Sequence, residues 1–407
     1  MGSTLTHRTH PNSQRDFMSQ REFDVIVFGA TGFTGRLVAE YLSQQYGPSV
    51  RWAMAGRSAD KLAAVRDEIG APADTPLITA DSADRASLKA LAERTKVVIT
   101  TVGPYQNFGE PLVAACAEAG TDYVDLCGEP AWMHDIIHRY DAPAKASGAR
   151  IVLSCGFDSV PFDLGVYVLQ REAIARSGKP ITRVKGRVRK MKGTFSGGTA
   201  ASFAQTMARA AREPDVINWL KDPFSLTPDF RGPDQPHGAK PLYEEDLGSW
   251  SAPFMMAAIN TKNIHRSNLL LGHLYGTDFV YDEMLLTGPG EQGEAIANHV
   301  AKDRSMAENP PKPGEGPSRA EREAGHYQIM FTGQMADGKR LTAVAGGDLD
   351  PGYGSTSRMI SECALALAND VSRDDTPGGV WTPAPALREA GIARLTGKAG
   401  LYFRIED

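Results

Sequence analysis

The sequence predicts an α/β protein, with a doubly wound parallel sheet first and a second α+β domain with a mixed sheet after it. Three observations predict it. A glycine cluster stands between a strand-like and a helix-like segment, short apolar strands alternate with helical segments as far as residue 154, and this alternation stops beyond residue 158.

The first unit begins with Asp24-Val25-Ile26-Val27-Phe28, a short apolar run, and continues after the glycines with Leu37, Val38, Tyr41 and Leu42 at helical spacing. Between them lies Gly29-Ala30-Thr31-Gly32-Phe33-Thr34-Gly35. In this context the glycines have separate tasks. Gly29 permits the tight turn, Gly32 lets backbone approach a pyrophosphate, and Gly35 lets helix pack closely on strand. The free N–H groups and positive dipole end of the helix face the phosphates. The cluster therefore predicts a dinucleotide-binding domain of the Rossmann type.

Further strands are expected at 51–55, 76–80, 96–101, 122–126 and 150–154, with helices at 59–69, 87–94, 109–119 and 132–146 between them. Such alternation requires parallel pairing through right-handed crossovers, which puts the ligand crevice at the carboxyl ends of the strands.

At the end of the second strand an NAD-binding domain commonly has an acid that accepts from the ribose 2′-hydroxyl. Here Gly56-Arg57-Ser58 stands there, with Lys61 one turn on. A guanidinium and a hydroxyl suit a 2′-phosphate, so NADP(H) is the expected cofactor; the alternative is a solvated arginine at a helix start. Asp81 follows the third strand, either beside the adenine or capping the next helix. The fourth strand runs into Thr101-Val102-Gly103-Pro104-Tyr105, where the nicotinamide half of a dinucleotide must pass. Tyr105 reads either as a proton donor near the transferred hydride or as a ring packed under a loop.

Pro161, in the first turn of an apolar helix after Gly156-Phe157-Asp158-Ser159, marks the departure from the first domain. Residues 181–192 alternate, with Arg183, Lys185, Arg187 and Arg189 along the run, which predicts a strand at a domain surface. Gly193-Thr194-Phe195-Ser196-Gly197-Gly198-Thr199 then opens a helix from Ala200 to about Arg212. Its hydroxyls and free N–H groups make Ser196 and Thr199 candidates for binding a substrate oxygen, and a plain helix cap is the alternative. Two stretches rich in Pro, Gly and charge, 213–248 and 309–324, are expected to be long loops, a common form of lid. Ala336-Asp337-Gly338 separates two strands of a hairpin, and Thr356–Asn369 reads as a last helix returning to the first domain.

The expected division is a solvated tail at 1–20, ahead of an alternative start at Met18, the dinucleotide domain at 21–158, a substrate or dimerisation domain at 159–354 and a C-terminal part at 355–407. Composition narrows the function classes. Hydrophobic residues make up 42% and charged ones 23%, the balance of a globular protein. A formal net charge of −5 disfavours nucleic acid as a partner. Cys116, Cys127, Cys155 and Cys363 lack metal or disulfide spacing, so no metal is expected and a reducing, cytoplasmic setting is. No apolar run approaches the roughly 18 residues of a membrane span, which leaves only peripheral membrane association open.

Several motifs coincide with one family. The 22–35 segment, Ala55-Gly56-Arg57-Ser58, Thr101–Tyr105, Tyr123-Val124-Asp125-Leu126-Cys127-Gly128-Glu129 and Gly156–Pro161 resemble the saccharopine dehydrogenase-like oxidoreductases. Lys312-Pro313-Gly314-Glu315-Gly316-Pro317-Ser318, Gly325-His326-Tyr327 and Gly378-Gly379-Val380-Trp381-Thr382-Pro383 are similar to the trans-acting enoyl reductase branch. The resemblance implies a Rossmann domain, a second domain whose sheet faces the cofactor, and NADPH-dependent reduction of an enoyl intermediate tethered to a polyketide or fatty-acyl carrier. Two other functions fit the same residues: an imine reductase of the saccharopine type, and an NADP-binding sensor without turnover.

Overall fold

A computed structural model describes residues 21–406 except 195, 310 and 313. The expected tail at 1–20, Phe195 and Pro313 lie outside them. Seven strands form a fully parallel sheet: β1 (Phe23–Phe28), β2 (Trp52–Gly56), β3 (Leu77–Thr79), β4 (Thr95–Thr100), β5 (Asp122–Val124), β6 (Arg150–Val152) and β13 (Gly379–Trp381). Their order is β13-β6-β5-β4-β1-β2-β3. The chain reverses its direction of winding between β1 and β4, and there the carboxyl ends open a crevice. β1 is buried almost throughout, as a strand covered by helices on both faces must be. The seventh strand, β13, extends the sheet beside β6 from a segment more than two hundred residues away, which the sequence pattern did not reveal.

The second sheet is mixed, in the order β14-β12-β11-β7-β10-β9-β8. Its strands are β7 (Arg183–Lys192), β8 (Leu242–Glu244), β9 (Ser249–Pro253), β10 (Val280–Gly288), β11 (His326–Gln334), β12 (Arg340–Gly347) and β14 (Leu401–Glu406). Only β7 and β10 pair in parallel. The helix Val160–Ser177 leaves the first sheet and packs on β11 and β12. At its closest approach Gly165 faces Phe331, whose ring lies 2.1 Å from where a Cβ would stand. One continuous core runs from Val25 and Val27 through Phe157 and Phe162 to Tyr327 and Phe331. The helix Thr356–Asn369 packs on the helix Phe33–Tyr46 and against β4 and β5.

Two expectations are corrected. β7 is not a surface strand; it is the middle of the second sheet, and Arg187 is 1% exposed. Its guanidinium bonds Glu244 at 2.6 and 3.0 Å, Asp282 at 2.9 Å, and the carbonyls of Gly186 and Asp282 at 2.8 and 3.1 Å. The charge is buried because distant partners saturate its donors. The stretches at 213–248 and 309–324 are not structureless either. The first contains the helix Pro214–Lys221 and β8, and the second the helix Arg319–Glu323 with a capping box between Ser318 and Glu321.

Candidate cofactor site and crevice

The strand order β4-β1-β2-β3 sets four sequence-predicted groups in a row along the carboxyl edge: Thr101–Tyr105, Gly29–Gly35, Arg57–Lys61 and Asp81. Gly29 has φ +90°, its N–H bonds the Ala55 carbonyl at 2.9 Å, and its own carbonyl accepts from Gly32 N–H at 2.9 Å and Thr101 Oγ1 at 3.3 Å. A Cβ on Gly35 would lie 2.1 Å from the Gly29 oxygen, so this position is closed to any side chain. The turn is thereby packed on β4. The helix begins at Phe33 with exposed Gly32 as its N-cap, no side-chain cap and no acid in its first turn. Free N–H groups of Phe33, Thr34 and Gly35 are left for an anion.

Arg57 is exposed at the end of β2, and its guanidinium makes no hydrogen bond or ion pair among the described residues. Ser58 caps the following helix, accepting from Lys61 N–H at 3.3 Å. Arg57 and Lys61 thus carry uncommitted positive charge where a 2′-phosphate would sit. Asp81 starts a turn, its Oδ1 taking the Ala83 N–H at 3.0 Å, and the cap of the next helix is Asp84.

Tyr105 points inward. Its hydroxyl donates to the Thr100 carbonyl at 3.2 Å and accepts from Leu126 N–H at 3.0 Å, its ring lies against Trp132, and burial raises its pKa. A proton-donor role at the crevice does not fit this geometry. The short helix that Tyr105 opens is capped instead by the buried Glu129 carboxylate, which takes the Tyr105 and Gln106 N–H groups at 2.9 Å each.

Ser196 and Thr199 do meet the cofactor loop, through a residue the sequence reading missed. Ser196 caps the helix Gly197–Arg212 and donates its N–H to the Tyr353 oxygen. Thr199 Oγ1 and the Tyr353 hydroxyl are 3.1 Å apart. The Tyr353 ring meets the Phe33 ring edge-on at 5.3 Å. Phe33 also carries Arg36 and Arg322 over its ring at 6.0 and 5.9 Å, and Gly316 packs against it. The Gly314–Pro317 segment is therefore seated, with the Glu315 carbonyl accepting from Gly197 N–H at 3.2 Å. Tyr353 lies in a turn ordered by Asp350, whose carboxylate takes the N–H groups of Tyr353 at 2.9 Å and Gly354 at 2.7 Å. Asp350-Pro351 ahead of a glycine pair was the available sequence signal. Whichever oxygen donates in the Thr199–Tyr353 bond, one hydroxyl hydrogen is left for a ligand oxygen.

The helix Gly197–Arg212 lies over the end of β4. Gln106 Nε2 bonds Thr206 Oγ1 at 3.2 Å, and Ser202 Oγ is 3.8 Å from a Cβ placed on Gly103.

Residues 25–152 match the model of the saccharopine dehydrogenase NADP binding domain. Over 402 residues the chain is 43% identical to a protein of Mycobacterium tuberculosis named putative trans-acting enoyl reductase, covering 92% of this chain and 96% of the relative. The chain belongs to the trans-acting enoyl reductase family. A second family member, the trans-acting enoyl reductase of Mycobacterium bovis, is 39% identical over 407 residues, covering 93% of this chain and 97% of its own. The apo saccharopine dehydrogenase (L-Glu forming) of Saccharomyces cerevisiae shares the fold at TM-score 0.52 and 12% identity, over 94% of this chain and 99% of that one. As a member of this family the chain is an NADP-dependent oxidoreductase. The uncapped helix start, the closed packing at Gly35 and the uncommitted Arg57 fit that cofactor. Among the described residues no helix is long and apolar enough to cross a membrane.

Proposed function

We propose that the chain reduces the carbon–carbon double bond of a 2-enoyl thioester of polyketide or fatty-acyl type. The observation that carries this reading is the Ser196–Thr199–Tyr353 cluster, joined to the glycine loop through Phe33, in a chain whose relatives bear the enoyl reductase name along nearly their full length. When bound, NADPH supplies a hydride to the β-carbon.

The chain's own residues have three tasks. Arg57, Ser58 and Lys61 hold the 2′-phosphate end, and the N–H groups at Phe33–Gly35 hold the pyrophosphate. Thr199 and Tyr353 donate one hydrogen bond to the thioester oxygen as enolate charge develops on it. The helix Gly197–Arg212, bonded to Gln106, covers the nicotinamide end against water. The thioester is borne by an acyl carrier in this reading.

The test is NADPH oxidation by the purified protein with a series of 2-enoyl thioesters, with the product identified by mass spectrometry. A saturated thioester is expected. Oxidation only with an amino acid and a carbonyl partner would assign the imine chemistry instead.

A further inference from the structure

Each fully buried carboxylate among the described residues accepts at least one hydrogen bond, whereas the half-buried Asp158 accepts none. Asp125 takes the N–H groups of Cys127 at 3.0 Å and Ser154 at 2.8 Å and the Tyr123 hydroxyl at 3.0 Å. Glu129 takes two N–H groups, Asp163 the Ser267 hydroxyl and the Ala384 N–H, and Glu283 the Asn260 amide and the Tyr281 hydroxyl. Asp158 has no hydrogen bond or ion pair among the described residues. A half-buried carboxyl without a protein partner is free to meet a ligand.

Its position supplies one. Asp158 lies beyond the carboxyl end of β6, half-buried, with Oδ2 3.7 Å from a Cβ placed on the exposed Gly128 that follows β5. The nicotinamide half of a dinucleotide runs past these strand ends. The segment is rigidly set. Phe157 N–H bonds Thr356 Oγ1 at 2.9 Å, and Ser159 holds φ +149°, a conformation side chains rarely adopt. That turn is fixed by Asn260 and Asn263 of the helix Ala257–Leu270, whose side chains lie 3.0 and 2.6 Å from Ser159 Oγ. Backbone strain of this kind persists where the surroundings over-determine it, commonly at functional sites.

We infer that Asp158 is the acid that protonates the α-carbon of the substrate. This rests on the enoyl reading. Hydride addition forms the β C–H bond, and the former π pair shifts so that the thioester oxygen becomes an enolate beside Thr199 and Tyr353. Collapse of the enolate forms the α C–H bond as the Asp158 O–H bond breaks, leaving a carboxylate that takes a proton from water past Gly128. One enoyl thioester, one NADPH and one proton give one saturated thioester and one NADP⁺.

Burial pushes the Asp158 carboxyl up to about 7, so near neutrality it carries its proton in a large share of molecules. Among the described residues, the titratable groups facing it are the Cys127 thiol after β5 and the Tyr353 hydroxyl, both raised by burial and both uncharged at that pH. On the helix Val160–Ser177 that follows it, the next acid, Asp163, is buried and raised to about 7.

The test compares wild type, Asp158→Asn and Asp158→Glu. NADPH affinity, read by fluorescence, is expected unchanged in all three. With an enoyl thioester, kcat of Asp158→Asn should fall by about a hundredfold or more. The wild-type rate should decline as pH rises through about 7, and Asp158→Glu should recover part of the rate. The carboxyl itself, followed by carbon NMR of aspartate-labelled wild type, should titrate near neutrality; a group ionised at every pH above the ordinary carboxylate range overturns the assignment even if the variants fail to fold. An Asp158→Asn enzyme that matches wild type overturns the role of Asp158 alone. A wild type that oxidises NADPH with no enoyl thioester overturns the enoyl reading and this role together.

Discussion

Replacing Arg57 by Ala should convert a selective NADPH site into one that scarcely distinguishes NADPH from NADH. Arg57 has no partner within the described protein, so its loss breaks no internal contact and the change registers on binding. A charge-assisted hydrogen bond is worth about 1.5–3 kcal/mol, and the exposure of Arg57 favours the lower figure. The Kd for NADPH should therefore rise at least about tenfold. The Kd for NADH, which lacks the 2′-phosphate, should stay within about twofold. Fluorescence titration of both cofactors against wild type and variant measures the two ratios. Equal losses, or an unchanged NADPH affinity, would refute the assignment of the 2′-phosphate to this strand end.

Other residues give equally definite outcomes. Gly35→Ala sets a methyl 2.1 Å from the Gly29 oxygen, so it should cost about 1–3 kcal/mol in a denaturation midpoint and abolish detectable NADPH binding. Tyr105→Phe removes a buried hydroxyl that serves Thr100 and Leu126; urea titration should show about 1–3 kcal/mol lost while NADPH oxidation per folded molecule is retained. Arg187→Leu removes the buried partner of Glu244 and Asp282, leaving them only the more exposed Lys185 and Arg183, and should cost about 3 kcal/mol in the same measurement. The Glu244 carboxyl is held at about 2 against an ordinary 4.5: burial opposes ionisation, and the Arg187 guanidinium overcomes it. A depressed pKa stabilises the fold fully above 4.5, and this stability is lost as pH falls toward 2; acid titration of unfolding should show that loss in wild type and a smaller one in Arg187→Leu.

The first sheet was legible because each strand is a short apolar run followed by a helix of regular period, and because the glycines occupy one defined turn. The crevice followed from that alternation, since topology alone puts Arg57 and Thr101 on one edge. Local pattern failed where partners are distant. β7 resembles a solvated strand until Glu244 and Asp282 close on Arg187, and three-residue β13 acquires its strand character only from pairing with β6. The helix Ala257–Leu270 buries Asn260, Lys262, Asn263, His265 and Arg266, so its period carries no apolar stripe to read. Tyr353 and Asp158 escaped for a related reason. One stands in a turn and one after a strand, and each takes its meaning from groups brought beside it by the fold: Ser196 and Thr199 in one case, the bare end of β5 in the other.

In the proposed reaction, hydride from NADPH reaches the β-carbon of an enoyl thioester in this crevice. Single-turnover reaction with NADPH deuterated at the transferring carbon, followed by mass analysis of the product, tests it most directly. The expected product is a saturated thioester with one deuterium on the β-carbon. Deuterium on a carbon bonded to nitrogen, or none transferred to any thioester, would contradict it.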